Sequence, residues 1–169
     1  ELVQRAALDR SDRDALAAAG ALKSLAGHRR RAWWQVLGVD TGRALIAQAG
    51  HGDDTPELAA PSTGEDLVAD YQHLGLSLGP HPVALLRDRL RRQRYQNAAE
   101  LAERAATPVA RAAGIVINRQ RPGSAGGVTF VTLEDETGVV NVVVWRALAE
   151  RQRRTLLAAR LLGVVGRWE

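Results

Sequence analysis

Five residues in the last third of the chain carry side chains suited to gripping a nucleic-acid strand: Arg119, Arg121, Phe130, Thr132 and Asn141. Guanidinium groups neutralise phosphates, an aromatic ring stacks on a base, and a hydroxyl with a carboxamide bonds a base edge. Their spacing matters as much as their type. Phe130, Thr132 and Glu134 alternate with Val131 and Leu133, while Asn141, Val143 and Trp145 alternate with Val140, Val142 and Val144. On a strand, such alternation sends the two sets to opposite faces. With Val131, Leu133 and the even-numbered valines inside, Phe130, Thr132 and Asn141 share an outer face. The alternative makes Phe130 a core residue, but that register buries Thr132, Glu134 and Asn141 at a desolvation cost.

These residues need a sheet to hold them, and the stretch from Gly114 to Trp145 supplies one. Three β-rich runs, Ile115–Ile117, Val128–Leu133 and Val139–Trp145, are separated by turn chemistry. The first break, 121–127, contains Pro122 and two terminal glycines, which a strand does not continue through. The second, 134–138, is short and ends in Gly138, as a hairpin turn requires. An Arg-rich helical segment and a further apolar run, Leu161–Val165, follow. Two antiparallel hairpins, a helix and another strand are the element order of an oligonucleotide-binding barrel, the OB-fold. The expected fold class is α+β: a small helical region with a helix–hairpin–helix, then an incomplete OB-fold barrel. The expected divisions are 1–39 for the helix–hairpin–helix, 40–64 for a linker, 65–107 for a helical connector and 108–169 for the barrel.

Composition narrows the function classes. The chain has 169 residues and no Cys, which removes disulfide frameworks and thiolate metal sites. No apolar run approaches the roughly 20 residues that span a bilayer, and no signal peptide opens it. The expected location is the cytoplasm, with no membrane partner. From Pro108 onward nine arginines face five acidic residues, whereas the preceding part is balanced, so the formal excess of +4 sits on the barrel. Basic charge on one module fits phosphate contact. Starting at Glu1 without Met, and stopping after an apolar run, the sequence is expected to be a piece of a longer polypeptide.

The helical part offers further candidates. Arg10–Gly20 reads as a short helix with Ser11 as N-cap and Gly20 at its C-terminal end. The link 21–27 leads to a second helix from His28 to Leu37, closed by Gly38. Such a pair suggests a helix–hairpin–helix whose amides meet phosphate, flanked by Arg30 and Arg31. Two small helices capping a larger domain is the competing reading. Trp33 and Trp34 are expected to anchor packing. Asp40–Gly64 is rich in helix breakers and is expected to be the most mobile internal stretch. His51, Asp53 and Asp54 there are read as a polar loop, not metal ligands. Glu65–Gly75 restarts a helix with Leu67, Val68, Tyr71 and Leu74 on one face. Val83–Gln93 forms another, with Arg87, Arg89, Arg91, Arg92 and Arg94 on its surface, read as a solvated face with DNA-backbone contact as the alternative. A third covers Asn97–Ala106, with Leu101 as its anchor.

Several blocks carry a family resemblance. DYQHLGLSLGPHPVALLR at 70–87 is similar to the segment of bacterial C-family DNA polymerases that joins the helix–hairpin–helix region to the OB-fold domain. GIVINRQRPGSA from Gly114 and VTFVTLEDETGVVNVVVW from Val128 look most like the error-prone branch, the replicative DNA polymerase III alpha subunit being the alternative. Gly20-Ala-Leu22 followed by Arg30-Arg-Ala-Trp33 resembles the family's helix–hairpin–helix. The resemblance covers nearly all of the chain except 40–64. It implies a parent enzyme that transfers nucleotides with Mg²⁺-bound carboxylates and copies damaged templates with accessory proteins. Those carboxylates belong to a palm domain absent here, so the segment is expected to hold no catalytic residue, metal or cofactor. Glu134, Asp135 and Glu136 match the family's hairpin turn. The family continues into a last strand beyond the point matching Glu169, so the barrel is expected to be incomplete. The implied partners are single-stranded or primer–template DNA, with accessory translesion proteins and the sliding clamp as further candidates. A protein-docking platform, on the helical region and Arg151–Arg154, is the second function; structural packing for the parent enzyme is the third.

Overall fold

The computed structural model describes residues 2–38 and 56–169. The chain forms two compact units, Glu1–Gly79 and Pro80–Glu169. The stretch expected to connect the two regions, 65–107, is thus shared between the units.

In the first unit, helices α1 (Leu2–Arg5), α2 (Arg10–Ala18), α3 (Lys23–Ala26) and α4 (Arg29–Leu37) follow one another closely. Asp9, not Ser11, caps α2: its carboxylate accepts from the Asp12 amide at 2.8 Å, and Asp12 accepts from the Asp9 amide at 3.2 Å. This reciprocal box satisfies two amides that have no partner inside the helix. Helix α3 forms one turn where the sequence suggested only a link. His28 caps α4 by accepting from the Arg31 amide at 3.2 Å. The buried residues of α4 are Arg29, Ala32 and Val36, a spacing that makes one stripe. Trp33 and Trp34 lie off that stripe and are exposed, so they do not anchor the core as expected. Helix α5 (Thr63–His73) opens with a Ser62–Glu65 capping box, two residues earlier than expected. Only Leu67 on it is buried; Val68, Tyr71 and Leu74 are exposed, so its apolar face is narrower than the sequence suggested. Ion pairs tie α5 to α3 and α4: Lys23 Nζ lies 3.1 Å from Asp66, and Arg29 contacts Asp66 at 3.2 Å and Asp70. Of the stretch expected to be mobile, residues 40–55 lie outside the described residues, together with His51, Asp53 and Asp54.

The second unit begins with a 3-10 turn, Ala84–Leu86, and two short helices, α6 (Arg87–Arg92) and α7 (Ala98–Ala102). Asn97 caps α7 and Leu101 is fully buried, as expected of its anchor. Four antiparallel strands follow in the order β3-β2-β1-β4: β1 (Thr107–Gln120), β2 (Thr129–Asp135), β3 (Gly138–Val144) and β4 (Leu161–Trp168). Helices α8 (Arg146–Arg151) and α9 (Arg153–Ala158) connect β3 to β4. Strand β1 is far longer than the Ile115–Ile117 run, because the alanines at 110, 112 and 113 pair with Gly166, Val164 and Gly163 of β4. Alanine has poor strand propensity, and tertiary pairing overrides it.

The sheet curls into a half-barrel, an incomplete OB-fold. Ala98, Leu101, Ala110, Ala112 and Val140 form one core cluster; Val131, Leu133, Val144, Ala149 and Leu156 form another beneath α8 and α9. No helix among the described residues is long and apolar enough to cross a membrane.

Candidate nucleic-acid interface

Strand β2 buries Thr129, Val131, Leu133 and Asp135, and β3 buries Val140 and Val144, so alternation resolves as the sequence suggested. Phe130 faces out, 41% exposed. Thr132 pairs with Asn141, and Thr132 Oγ1 donates to Asn141 Oδ1 at 3.0 Å. This bond engages the Asn141 carbonyl oxygen and leaves its NH₂ available on an exposed residue. Phe130 pairs with Val143, diagonal to Asn141. On the other side of β2, Asn118 pairs with Thr132 and Gln120 with Phe130. The outer face therefore carries two cross-strand rows, Asn118–Thr132–Asn141 and Gln120–Phe130–Val143. Asn118 and Gln120 belong to this face, yet sequence reasoning passed over them.

The reason is a bulge. The β1–β2 register shifts between Val116 and Asn118, so Ile117 has no partner of its own. One extra residue reverses the alternation beyond it. Without the bulge Arg119 would face out; with it, Arg119 pairs with Val131 and points to the inner side. Its Nε donates to the Leu156 carbonyl at 2.7 Å and Nη2 to the Ala159 carbonyl. Arg119 closes the C-terminal end of α9, where carbonyls lack partners and a cation suits the helix dipole. Its expected place on the binding face is corrected accordingly. Nothing in the run INRQR marks where the bulge falls. Arg119→Ala is expected to lower stability by about 1–3 kcal/mol, since it strands part-buried carbonyls. The salt dependence of DNA binding should not change. Thermal melts beside a salt titration check this; a flattened salt slope without loss of stability would return Arg119 to the interface.

The other arginines divide. Arg121 is exposed beside Gln120, Arg153 and Glu150 at the rim of a shallow recess of about 200 Å³. Arg30, on α4 of the first unit, is engaged by Glu65 at 2.5 Å and by the Ala59 carbonyl at 3.2 Å, while Arg31 is exposed. The Ser62 amide and hydroxyl, then Arg30, hold the Glu65 carboxyl below its usual range. Arg87, expected on a solvated face, is instead buried, bonded to Glu136 at 2.5 and 2.9 Å and to Asp135 at 3.2 Å.

The hairpin carboxylates thus have a structural task. Burial pushes Asp135 up, but the Thr137 hydroxyl and amide, the Ala98 amide and Arg87 outweigh it and hold it below the usual range. Arg87 does the same for Glu136. With their oxygens taken by donors and a cation, Asp135 and Glu136 do not fit a Mg²⁺ site. Among the described residues no three His, Asp or Glu side chains are grouped to hold a metal ion.

A curled antiparallel half-barrel with an exposed aromatic and a polar stripe defines a nucleic-acid-binding OB domain. Residues 110–169 match the family of the OB-fold nucleic acid binding domain. Over its whole length the chain is 62% identical to the error-prone DNA polymerase of Alkalilimnicola ehrlichii. It is 55% identical to that of Ralstonia pickettii and 52% to that of Pseudomonas syringae pv. tomato, again over the whole chain. It spans 16% of the length of each of these relatives. The chain is homologous to one segment of the error-prone DNA polymerases.

Proposed function

We propose that this chain is a non-catalytic, nucleic-acid-binding segment of an error-prone, damage-tolerant DNA polymerase, and that its OB face contacts single-stranded template DNA. The observation that carries the reading is Phe130. An aromatic is held outward in the row Gln120–Phe130–Val143, beside the polar row Asn118–Thr132–Asn141, on the face that OB domains use for oligonucleotides. Phe130 would stack a base, and the Thr132–Asn141 pair with Asn118 and Gln120 would meet base edges. Arg121 would neutralise a phosphate, with Arg30 and Arg31, in the first unit, as further candidates. Nucleotide transfer and its Mg²⁺ would belong to the rest of the parent enzyme, in the cytoplasm, with translesion accessory proteins and a sliding clamp as further partners.

Phe130→Ala is expected to weaken binding to a single-stranded oligonucleotide by about 1–3 kcal/mol. The melting temperature should barely change, because the ring is not in the core. Fluorescence anisotropy with parallel melts tests both. Wild-type affinity in a normally folded variant would sink the stacking assignment.

A docking platform is the second reading, and one observation favours it. Ile117, Val139, Val143 and Trp145 are each at least half exposed along the same strands. Their burial by a protein would be nearly independent of salt, whereas phosphate-driven binding weakens log-linearly with it.

A further inference from the structure

Away from Phe130, the start of β1 and the α6–α7 connection enclose an open recess of about 500 Å³. Four guanidinium groups line it, from Arg91, Arg94, Arg104 and Arg111, around the Tyr95 ring and Val109. No carboxylate does. One of the four, Arg91, is paired with Glu100 at 3.5 Å. Two of the arginines are aimed by the fold itself. Arg111 donates to the Gln93 carbonyl at 3.2 Å, and Arg104 to Gln96 Oε1 at 2.8 Å. The segment that carries them is fixed, since the Gln96 amide donates to the Arg111 carbonyl at 2.9 Å. Each guanidinium keeps further donors for a ligand.

Arg94 is placed by the end of α6. At φ +63° it takes the left-handed position of a Schellman cap, its amide donating to the Arg91 carbonyl at 2.8 Å and the Tyr95 amide to the Leu90 carbonyl at 2.9 Å. The cap fixes the segment that brings Arg94 and Tyr95 to the recess. With Arg91 paired to Glu100, the other three like charges around the recess repel one another unless an anion joins them. Arg111 lies on the same strand as Asn118, seven residues away, which is about 23 Å along β1 at ~3.3 Å per residue. That separation lets one nucleic-acid strand reach both places.

We infer that this recess is a second phosphate-binding site, taking the sugar–phosphate backbone of a nucleic-acid strand independently of base stacking at Phe130. Guanidinium forks match phosphate oxygens, and the ring of Tyr95 with Val109 suits a sugar. A free nucleotide triphosphate offers the same chemistry from another source, and an acidic peptide offers carboxylates.

The test uses the 169-residue chain with two single strands of about 12 nucleotides, within the ~4–16 range of OB sites, one of thymidines and one abasic. Arg94→Gly removes the cation and relaxes the backbone, so its melting temperature should hold or rise. Its affinity for the abasic strand should fall about fivefold at 0.1 M salt, with the salt slope reduced by about 0.7. Phe130→Ala should leave abasic binding intact and weaken only the thymidine strand. If abasic binding is undetectable, or Arg94→Gly keeps the wild-type slope, the recess assignment falls whatever Phe130 does. Tighter binding of a free triphosphate or of poly-glutamate, lost in Arg94→Gly, would equally overturn the assignment to a strand. Should Phe130→Ala bind both strands normally while Arg94→Gly does not, the recess stands and the stacking face falls.

Discussion

Replacing Arg87 with Ala is expected to lower the stability of the barrel-containing unit by about 3–5 kcal/mol, against total domain stabilities of about 5–15. The guanidinium spans both carboxylates of the β2–β3 turn, and the Asp135 side chain is only 4% exposed. Asp135 also accepts from the amides of Ala98 and Thr137, each at 2.8 Å, and from the Thr137 hydroxyl at 2.7 Å. One carboxylate therefore fastens the hairpin to the first turn of α7, and Arg87 supplies the charge that makes its burial tolerable. Without Arg87 that charge remains buried and uncompensated, which costs far more than the pair contributes. Arg91→Ala is the control, because its ion pair with Glu100 is exposed and worth at most about 1 kcal/mol. Urea denaturation of the three proteins decides; equal losses in the two variants would mean that the cluster is incidental.

The same cluster predicts an acid limit. Asp135 and Glu136 titrate below their ordinary values of 3.8 and 4.5 in the folded chain. Their contribution is complete above those values and disappears as pH falls through the lower folded ones. Stability should therefore decline below about pH 4.5, and less steeply in Asp135→Asn, which has one titrating group fewer.

What could be read from the sequence follows the physics of each element. The β2–β3 hairpin is local: strict alternation and a Gly-terminated turn set both its register and its outward residues, so Phe130, Thr132 and Asn141 were legible. Strand β1 is not local. Its alanines become a strand only against β4, and its bulge answers to the curl of the sheet, so Asn118, Gln120 and the inward turn of Arg119 left no periodic trace. Charge misled for a related reason. Arginines at 87, 91 and 94 look alike in a run, yet one is buried in a salt bridge, one is exposed and one is held at positive φ. For Arg87 and Arg91 that depends on partners about 10 to 50 positions away in the chain, Asp135 and Glu136 above all, whereas Arg94 is set by the local cap that ends α6. The α5 face failed differently: apolar spacing was present, but only Leu67 found a neighbour to bury it.

Gly114→Ala is expected to cost about 3 kcal/mol or more, at or beyond the upper end of overpacking substitutions. Gly114 pairs with Leu162 of β4, and its neighbour Ile115 pairs with Glu134 of β2. A Cβ there would stand 2.6 Å from the Glu134 carbonyl oxygen and 3.0 Å from the Glu134 carbonyl carbon and amide nitrogen. All three atoms are backbone of a paired strand, so no side chain can rotate away and the strands themselves must part. The entropy that Ala gains over Gly in a strand, about 0.5–1 kcal/mol, does not offset this. Gly163 makes the contrast: its Cβ would meet the Tyr95 hydroxyl at 2.9 Å, the movable end of a side chain. Gly123, with nothing within 4 Å, is the neutral control. For a domain of this size each kcal/mol shifts the melting temperature by about 4–8 °C, so Gly114→Ala should melt at least about 12 °C lower. Gly163→Ala should fall between it and an unchanged Gly123→Ala. Because the β1–β2 pairing sets the register that places Gln120 beside Phe130, any folded Gly114→Ala protein should also bind single-stranded DNA more weakly. A Gly114→Ala chain that melts like wild type would show that β1 and β2 are not as close as this pairing requires.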